Sequence, residues 1–266
     1  MANVKLENGD DLRSAFRRDG VVCLRQVFDP DTMALAEAVW QRLADHPGSG
    51  AARLYADRMA TVASIEAAQK LPAGVETGFF YQDIGNRHAS DQVQALLARE
   101  DVRDIVQSVV TPEDSADCRA WFSGEQMFLK GPFSPPTGWH QDIVDTPLRG
   151  NDLLVIWMSF DPVDQAHALR LARGSHEGPA FDSLYGRFTG ETVPDVDADP
   201  NFDVVGYATE PGDVVLFHYG CLHGGGRTGE RGRRSLALRF NGPDCYRERS
   251  GEPFDPDTAG NLFAAS

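Results

Sequence analysis

From Pro112 onward the chain is cut into short apolar runs, at residues 120–129, 138–143, 153–160, 204–208, 214–218 and 235–240. Between them stand turn formers: Gly131-Pro132, Pro135-Pro136, Gly150-Asn151-Asp152 and Pro211-Gly212-Asp213. Glycine and proline interrupt ladder hydrogen bonding, so each run can extend only briefly before the chain reverses. Many short strands with turn signals between them make a barrel or a sandwich. The first third reads differently. Leu12 and Phe16 lie four residues apart with Gly20 as a stop, and Val21-Val22-Cys23-Leu24 makes one strand. Asp29 or Asp31 can cap a helix entered at Pro30 and carried by Leu35, Val39 and Leu43. Ser90 opens another helical stretch, lined by Val93, Leu96 and Leu97 and continued by Val102, Ile105, Val106 and Val109.

The expected architecture is a single domain over 1–266: a helical part, about 1–112, packed outside a β core, about 113–242, with a tail at 243–266. Residues 54–86 and 181–202 show no clean period. They read as lids or binding loops, or else as disorder.

Composition narrows the function classes. With 25 Lys+Arg against 40 Asp+Glu, the net charge is −15. That argues against a general nucleic-acid binder, which needs net basic charge to displace counterions. The longest unbroken apolar stretch, 153–158, is far too short to cross a bilayer, and the N-terminus has no basic-then-apolar signal pattern. None of Cys23, Cys118, Cys221 and Cys245 forms a CxxC pair, so they read as reduced thiols of a cytoplasmic protein. Such a chain is expected to have no nucleic acid or membrane partner, and its oligomeric state is open.

The chemistry-bearing residues lie on the strand-like runs. On a strand, His140 and Asp142 share a face while Gln141 points away. Two further histidines follow: His218 ends the run 214–218, and His223 heads the turn Gly224-Gly225-Gly226. Two neutral imidazoles and one carboxylate on one side of a metal make the facial triad of non-haem Fe(II) oxygenases, leaving open positions for a 2-oxo acid and dioxygen. An arginine on the next strand can grip the far carboxylate of that acid bidentately. Arg233 or Arg234 must face inward if that strand alternates, and the spacing of eleven residues from His223 favours Arg234.

These blocks resemble the phytanoyl-CoA hydroxylase-like branch of the Fe(II)/2-oxoglutarate dioxygenases, from about residue 12 to residue 240. The resemblance is carried by Phe16-Arg17-Arg18-Asp19-Gly20-Val21-Val22, by Gln126-Met127-Phe128-Leu129-Lys130-Gly131-Pro132 with Trp139-His140-Gln141-Asp142, and by residues 153–160 with Gly174-Ser175-His176. It continues through Pro211-Gly212-Asp213 to His218 and through His223-Gly224. It implies a mainly β protein with flanking helices around a double-stranded β-helix (jelly-roll, cupin-like) core. Iron would be held by His140, Asp142 and His223, and 2-oxoglutarate anchored by Arg234. Gln126, Lys130 and Trp157 would line the cosubstrate pocket. The implied cofactor set is Fe(II), 2-oxoglutarate and O2. The implied reaction hydroxylates an unactivated C–H bond of a small natural-product intermediate or acyl derivative, releasing succinate and CO2. Asp142 argues against a halogenase, since a metal-bound halide needs that carboxylate's place.

Three positions depart from the family pattern. Gly225 stands where serine or threonine is common, so one hydrogen bond to the cosubstrate is missing. Arg173 replaces a proline, and Gln165-Ala166-His167-Ala168 lacks the usual Glu-Asn-Gly turn. Two other functions remain in play: a cupin-like metalloprotein with non-oxidative, isomerase-type chemistry, and a jelly-roll binding module without activity.

Overall fold

The computed structural model describes residues 11–55, 59–70, 78–110, 119–184, 189–247 and 262–263. Its first half gives α1 (Leu12–Asp19), β1 (Val21–Leu24), α2 (Pro30–Asp45), β2 (Ala52–Leu54), β3 (Met59–Thr61), α3 (Ile65–Lys70), β4 (Phe80–Ile84), α4 (Ser90–Leu97) and α5 (Glu100–Val110). The second half gives β5 (Ala120–Lys130), β6 (Leu148–Gly150), β7 (Leu153–Ser159), β8 (Arg170–Arg173), β9 (Asp203–Gly206), β10 (Val214–His218), β11 (His223–Gly224), β12 (Arg233–Asn241), β13 (Cys245–Arg247) and β14 (Leu262–Phe263).

The helix boundaries follow local chemistry. Asp11 accepts a hydrogen bond from Ser14 N–H at the start of α1, and Asp29 accepts one from Thr32 N–H at the start of α2. Gly20 closes α1 with φ +69°, a conformation that costs a residue with a Cβ about a kilocalorie per mole or more.

The main sheet is antiparallel in the order β1-β10-β7-β12-β5-β4-β2-β3, with β14 beside β5. A smaller sheet runs β11-β8-β9, and β13 pairs with β6. This is a double-stranded β-helix, as the resemblance implied. The unbroken apolar run of β7 has a simple cause: all seven of its residues are buried, because both faces are covered. Leu154, Ile156 and Met158 join the layer beneath α1, α2, α4 and α5, together with Val214, Leu216, Leu236, Leu238 and Phe240. Leu153, Val155 and Trp157 face the other way, into the barrel, with Val215, Phe217 and Ala237. Each fully buried leucine or isoleucine in these layers contributes about 1.5–3 kcal/mol.

Three expectations need correcting. The run 138–143 does not form a strand. His140 makes an isolated bridge to His223, and Asp142 opens a 3-10 turn, Asp142–Asp145. The first 112 residues hold more than helices and the one expected strand, β1, since β2 to β4 also extend the main sheet. Part of 54–86 is therefore sheet: Phe80 pairs with Lys130 and Ile84 with Gln126. The described part of 181–202 is packed beside the barrel, where Phe181, Val193, Val196 and Phe202 gather against Trp139 and Leu222. Cys118 and the tail at 248–261 lie outside the described residues.

Candidate metal centre and cosubstrate pocket

His140 and His223 exchange backbone hydrogen bonds, N–H to O at 3.0 and 2.9 Å, which brings their rings to a centroid separation of 4.2 Å. The His140 Nδ1 donates to Gly138 O at 2.9 Å, and the His223 Nδ1 donates to Cys221 O at 3.0 Å. A carbonyl can only accept, so each Nδ1 carries the hydrogen and each Nε2 keeps its lone pair. Both lone pairs face the Asp142 carboxylate. The Oδ1 atom lies 3.9 Å from His140 Nε2 and 3.8 Å from His223 Nε2. Three electron-rich atoms converge there with no donor hydrogen between them, which is the environment of a cation.

Electrostatics favours the ligating forms. Burial and the neighbouring His140 push the His223 imidazole down to about 4, against the pull of Asp142. Burial would raise the Asp142 carboxyl, but the Arg239 guanidinium and both imidazoles outweigh it and hold it well below the usual carboxylate range. Arg239 Nη2 donates to Asp142 Oδ2 at 2.8 Å, which leaves Oδ1 toward the imidazoles.

Gln141 points away from the triad, its own backbone being extended although the run is not a strand. Its amide nitrogen donates to Gly220 O at 2.8 Å and its amide oxygen accepts from Phe181 N–H at 2.9 Å. The glycines after His223 permit close packing. A Cβ on Gly226 would fall 2.3 Å from Ala168 O, and one on Gly224 would fall 2.9 Å from Thr137 O. His218 is not brought to the triad. Its Nε2 donates to Gly150 O and its Nδ1 accepts from Gly220 N–H, inside the core.

The triad opens on a cavity whose wall includes alternate residues of β12: Arg233, Ser235, Ala237 and Arg239. The intervening residues Leu236, Leu238 and Phe240 face the helices. Arg234 belongs to that outer set, which corrects the expectation that it points inward. Its guanidinium pairs with Glu37 and, at 3.1 Å, with Asp161, and it lies over the Trp40 and Phe160 rings. Arg233 takes the inner place. It is 7% exposed, stacks over Trp157 with 5.6 Å to the ring centroid, and donates through Nη1 to His167 O at 2.8 Å. Its Nε is buried without a hydrogen-bond partner, and burial pulls the group down to about 10. A buried cation with a spare donor edge fits a carboxylate.

Gln126 and Trp157 line the cavity. Gln126 donates to Gln82 Oε1 at 2.8 Å, so the wall there is a pair of amides. Lys130 does not line it. Its ammonium, 1% exposed as a residue, is turned to the carbonyls of Pro135 and Gly226 at 2.7 and 2.9 Å and lies over the Phe80 ring. Arg239 is the residue that sequence reasoning missed. Its parity with Ser235 and Ala237 was the available signal.

A double-stranded β-helix that presents two imidazoles and one carboxylate to a cavity defines the class of non-haem Fe(II) oxygenases. The chain belongs to the phytanoyl-CoA dioxygenase family, whose model, Phytanoyl-CoA dioxygenase (PhyH), matches residues 16–235. The peroxisomal phytanoyl-CoA dioxygenase of mouse is 31% identical over 113 residues, which are 40% of this chain and 33% of that protein. The human enzyme is 28% identical over 114 residues, 40% of this chain and 34% of its own length. The match thus spans about a third of those curated relatives.

Among solved structures, the epimerase SnoN in complex with Fe3+, alpha ketoglutarate and nogalamycin RO superposes with TM-score 0.64 at 18% identity, covering 89% of this chain and 84% of that one. The carbocyclase SnoK gives 0.63 at 16% identity, with 96% and 97% covered. EctD from S. alaskensis with bound Fe gives 0.61 at 19%, with 86% and 75% covered. These likenesses confirm the fold. With the family and the donor set, they fit Fe(II), 2-oxoglutarate and O2 as the cofactor set. Among the described residues, no helix is long and apolar enough to cross a membrane.

Proposed function

We propose that this protein is an Fe(II)- and 2-oxoglutarate-dependent oxygenase that hydroxylates an unactivated C–H bond of a small, largely apolar, uncharged metabolite. The observation that carries the reading is the convergence of His140, Asp142 and His223 beside a cavity that also holds the spare donor edge of Arg233. Iron with 2-oxoglutarate and O2 supplies the oxidising power for C–H hydroxylation, the cosubstrate leaving as succinate and CO2.

The chain's own residues do the rest. His140, Asp142 and His223 hold the metal, and Arg239 keeps the second carboxylate oxygen of Asp142 occupied. Arg233, in place of Arg234, binds the far carboxylate of the cosubstrate, and Trp157 sets the plane of its guanidinium. Leu54, Phe80, Phe128, Leu169, Leu184 and Phe217 form the apolar wall that excludes water and receives the substrate, with the Gln82–Gln126 amides as its polar mark.

The substrate class rests on charge. Arg233 and Arg239 are the cationic side chains of the described cavity wall; Arg233 is assigned to the cosubstrate and Arg239 is bonded to Asp142 with only its buried Nη1 unpartnered, which is no basic patch for an anionic head group such as that of a CoA thioester. A chain of net charge −15 supports the same view. Cys23, Cys221 and Cys245 are free thiols, which supports a cytoplasmic enzyme. We take the 266 residues as one catalytic domain.

Purified protein given Fe(II), 2-oxoglutarate and air should release succinate. A panel of neutral apolar metabolites should stimulate that release, and acyl-CoA thioesters should not. Stimulation by thioesters alone would overturn the substrate class, and absence of succinate under every condition would overturn the reaction class.

A further inference from the structure

The polar groups of the cavity wall divide by strand. Arg233 and Arg239 stand on β12, the side assigned to the cosubstrate and to Asp142. On β5 and β4 the wall holds Gln126 and Gln82 instead, set among Leu54, Phe80 and Phe128. Ala237 lies between the two sides. It is opposite Gln126 on β5 and opposite Trp157, the residue under Arg233, on β7. Ala237 is also two residues from Arg239 on the same face of β12, so Gln126 stands on the triad half of the wall. Gln82 is opposite Phe128, two residues along β5 from Gln126, which makes the two amides diagonal neighbours.

Their hydrogen bonds run in one direction. The Met59 thioether can only accept, and Gln82 Nε2 faces it at 3.7 Å. Gln82 Oε1 is thereby turned inward, where it accepts from Gln126 Nε2 at 2.8 Å. Gln126 Oε1 is the open end of the chain. Among the described residues no donor reaches it, and Gln126 is buried against the cavity. An apolar substrate that covers this oxygen without supplying a donor loses affinity, and one that supplies a donor keeps it. Asp142 is the one carboxylate among the described residues of the wall, and it is bonded to Arg239, so nothing there favours an ammonium group.

We propose that Gln126 Oε1 receives a neutral O–H or N–H donor of the substrate, and that Gln82 sets this specificity by holding the Gln126 amide nitrogen away from the ligand. The substrate class narrows accordingly, from an uncharged apolar metabolite to one bearing an alcohol or an amide N–H on its face toward β5. This rests on the Fe(II)/2-oxoglutarate reading given above.

Two matched pairs of probes test it. Borneol and camphor differ as alcohol and ketone on one apolar cage, and caprolactam and N-methylcaprolactam differ by one N–H. Titration calorimetry on protein loaded anaerobically with Fe(II) and 2-oxoglutarate gives each affinity. In the wild type the donor-bearing member of at least one pair should bind about 10- to 100-fold tighter. Preference within the first pair identifies a hydroxyl, and within the second an amide N–H.

Gln126→Met should bring that pair within about threefold and leave 2-oxoglutarate affinity within about twofold. Gln82→Met, which lets the Gln126 amide turn its nitrogen inward, should lower the ratio likewise. Gln82→Glu, whose oxygens accept as Gln82 Oε1 does, should keep it. A merely structural role would shift both members of a pair alike and leave the ratio standing. Equal affinities within both pairs, no binding of any probe, a ratio that survives Gln126→Met, or a tenfold loss of 2-oxoglutarate affinity in that variant would each overturn the inference. A ratio kept by Gln82→Met or lost in Gln82→Glu would overturn the role of Gln82. The visible band of Fe(II) with 2-oxoglutarate is read before any probe is added, and its absence would overturn the cosubstrate reading instead.

Discussion

Replacing Arg233 and Arg234 in turn by methionine separates two adjacent arginines by the face of β12 they occupy. Arg233 is a buried cation whose Nε has no protein partner, set beside the triad cavity. Removing one member of a buried charged pair costs about 3–5 kcal/mol, because the other is left in low dielectric without compensation. At 1.4 kcal/mol per factor of ten, Arg233→Met should weaken 2-oxoglutarate binding about 100- to 4,000-fold. Metal affinity should hold, since the ligands are untouched.

Arg234 is different in kind. Its side chain is 34% exposed and its partners Glu37 and Asp161 are 48% and 32% exposed, so water screens both pairs. Each is worth about 1 kcal/mol at most, and Arg234→Met should lower Tm by a few degrees while leaving cosubstrate affinity within about twofold. Isothermal titration with 2-oxoglutarate under anaerobic Fe(II), alongside thermal melts, reads both quantities. The reverse pattern, with affinity lost in Arg234→Met and kept in Arg233→Met, would refute the assignment and the alternation argument behind it.

Two other perturbations test the surroundings of the site. Arg239→Met should weaken Fe(II) binding about 10- to 100-fold, because the Asp142 carboxylate loses the bond that orients it; equal affinity in a metal titration would show that the triad needs no such support. His218 gives a pH effect. Burial and its neighbour His176 push it down to about 3, so between about 6.5 and 3 the unfolded chain binds a proton that the folded chain refuses. Its contribution to stability is therefore complete above about pH 6.5 and falls by roughly 1.4 kcal/mol per unit below it. Melts from pH 7.5 to 5 should show a steeper decline in wild type than in His218→Gln, and parallel curves would show that His218 does not carry the slope.

The strands that build the barrel wall were legible because their cause is local. The bounds of β1 and β10 follow from β-branched runs stopped by turn formers, and β7 announces itself as an apolar run buried on both faces. The site's three ligands were legible for a different reason, since only chemistry explains His140, Asp142 and His223 in that order beside such strands.

What failed were inferences that depended on partners elsewhere in the chain. The run 138–143 has strand composition, yet past the His140–His223 bridge the Gln141 side chain, not its backbone, bonds to Gly220 O, and the next backbone bond, Ile143 N–H to Tyr219 O, already lies in the 3-10 turn. The short strands β2 to β4 exist through pairing with one another and with β5, a distant partner that no local period reveals. Arg234 was selected by its distance from His223, although the loop between them can vary in length. The parity of β12 was the better guide: Leu236, Leu238 and Phe240 mark the helix side, and Ser235 and Arg239 mark the cavity side. Read that way, Arg233 and Arg239 fall inward together.

The most direct test of the central claim is the anaerobic visible spectrum of the purified protein with Fe(II) and 2-oxoglutarate. Chelation of the 2-oxo acid at a metal held by His140, Asp142 and His223 predicts a weak charge-transfer band that saturates at one equivalent of each. Asp142→Ala and His223→Ala should both abolish it. A band that survives in either variant, or its absence from the wild-type protein, would contradict the account.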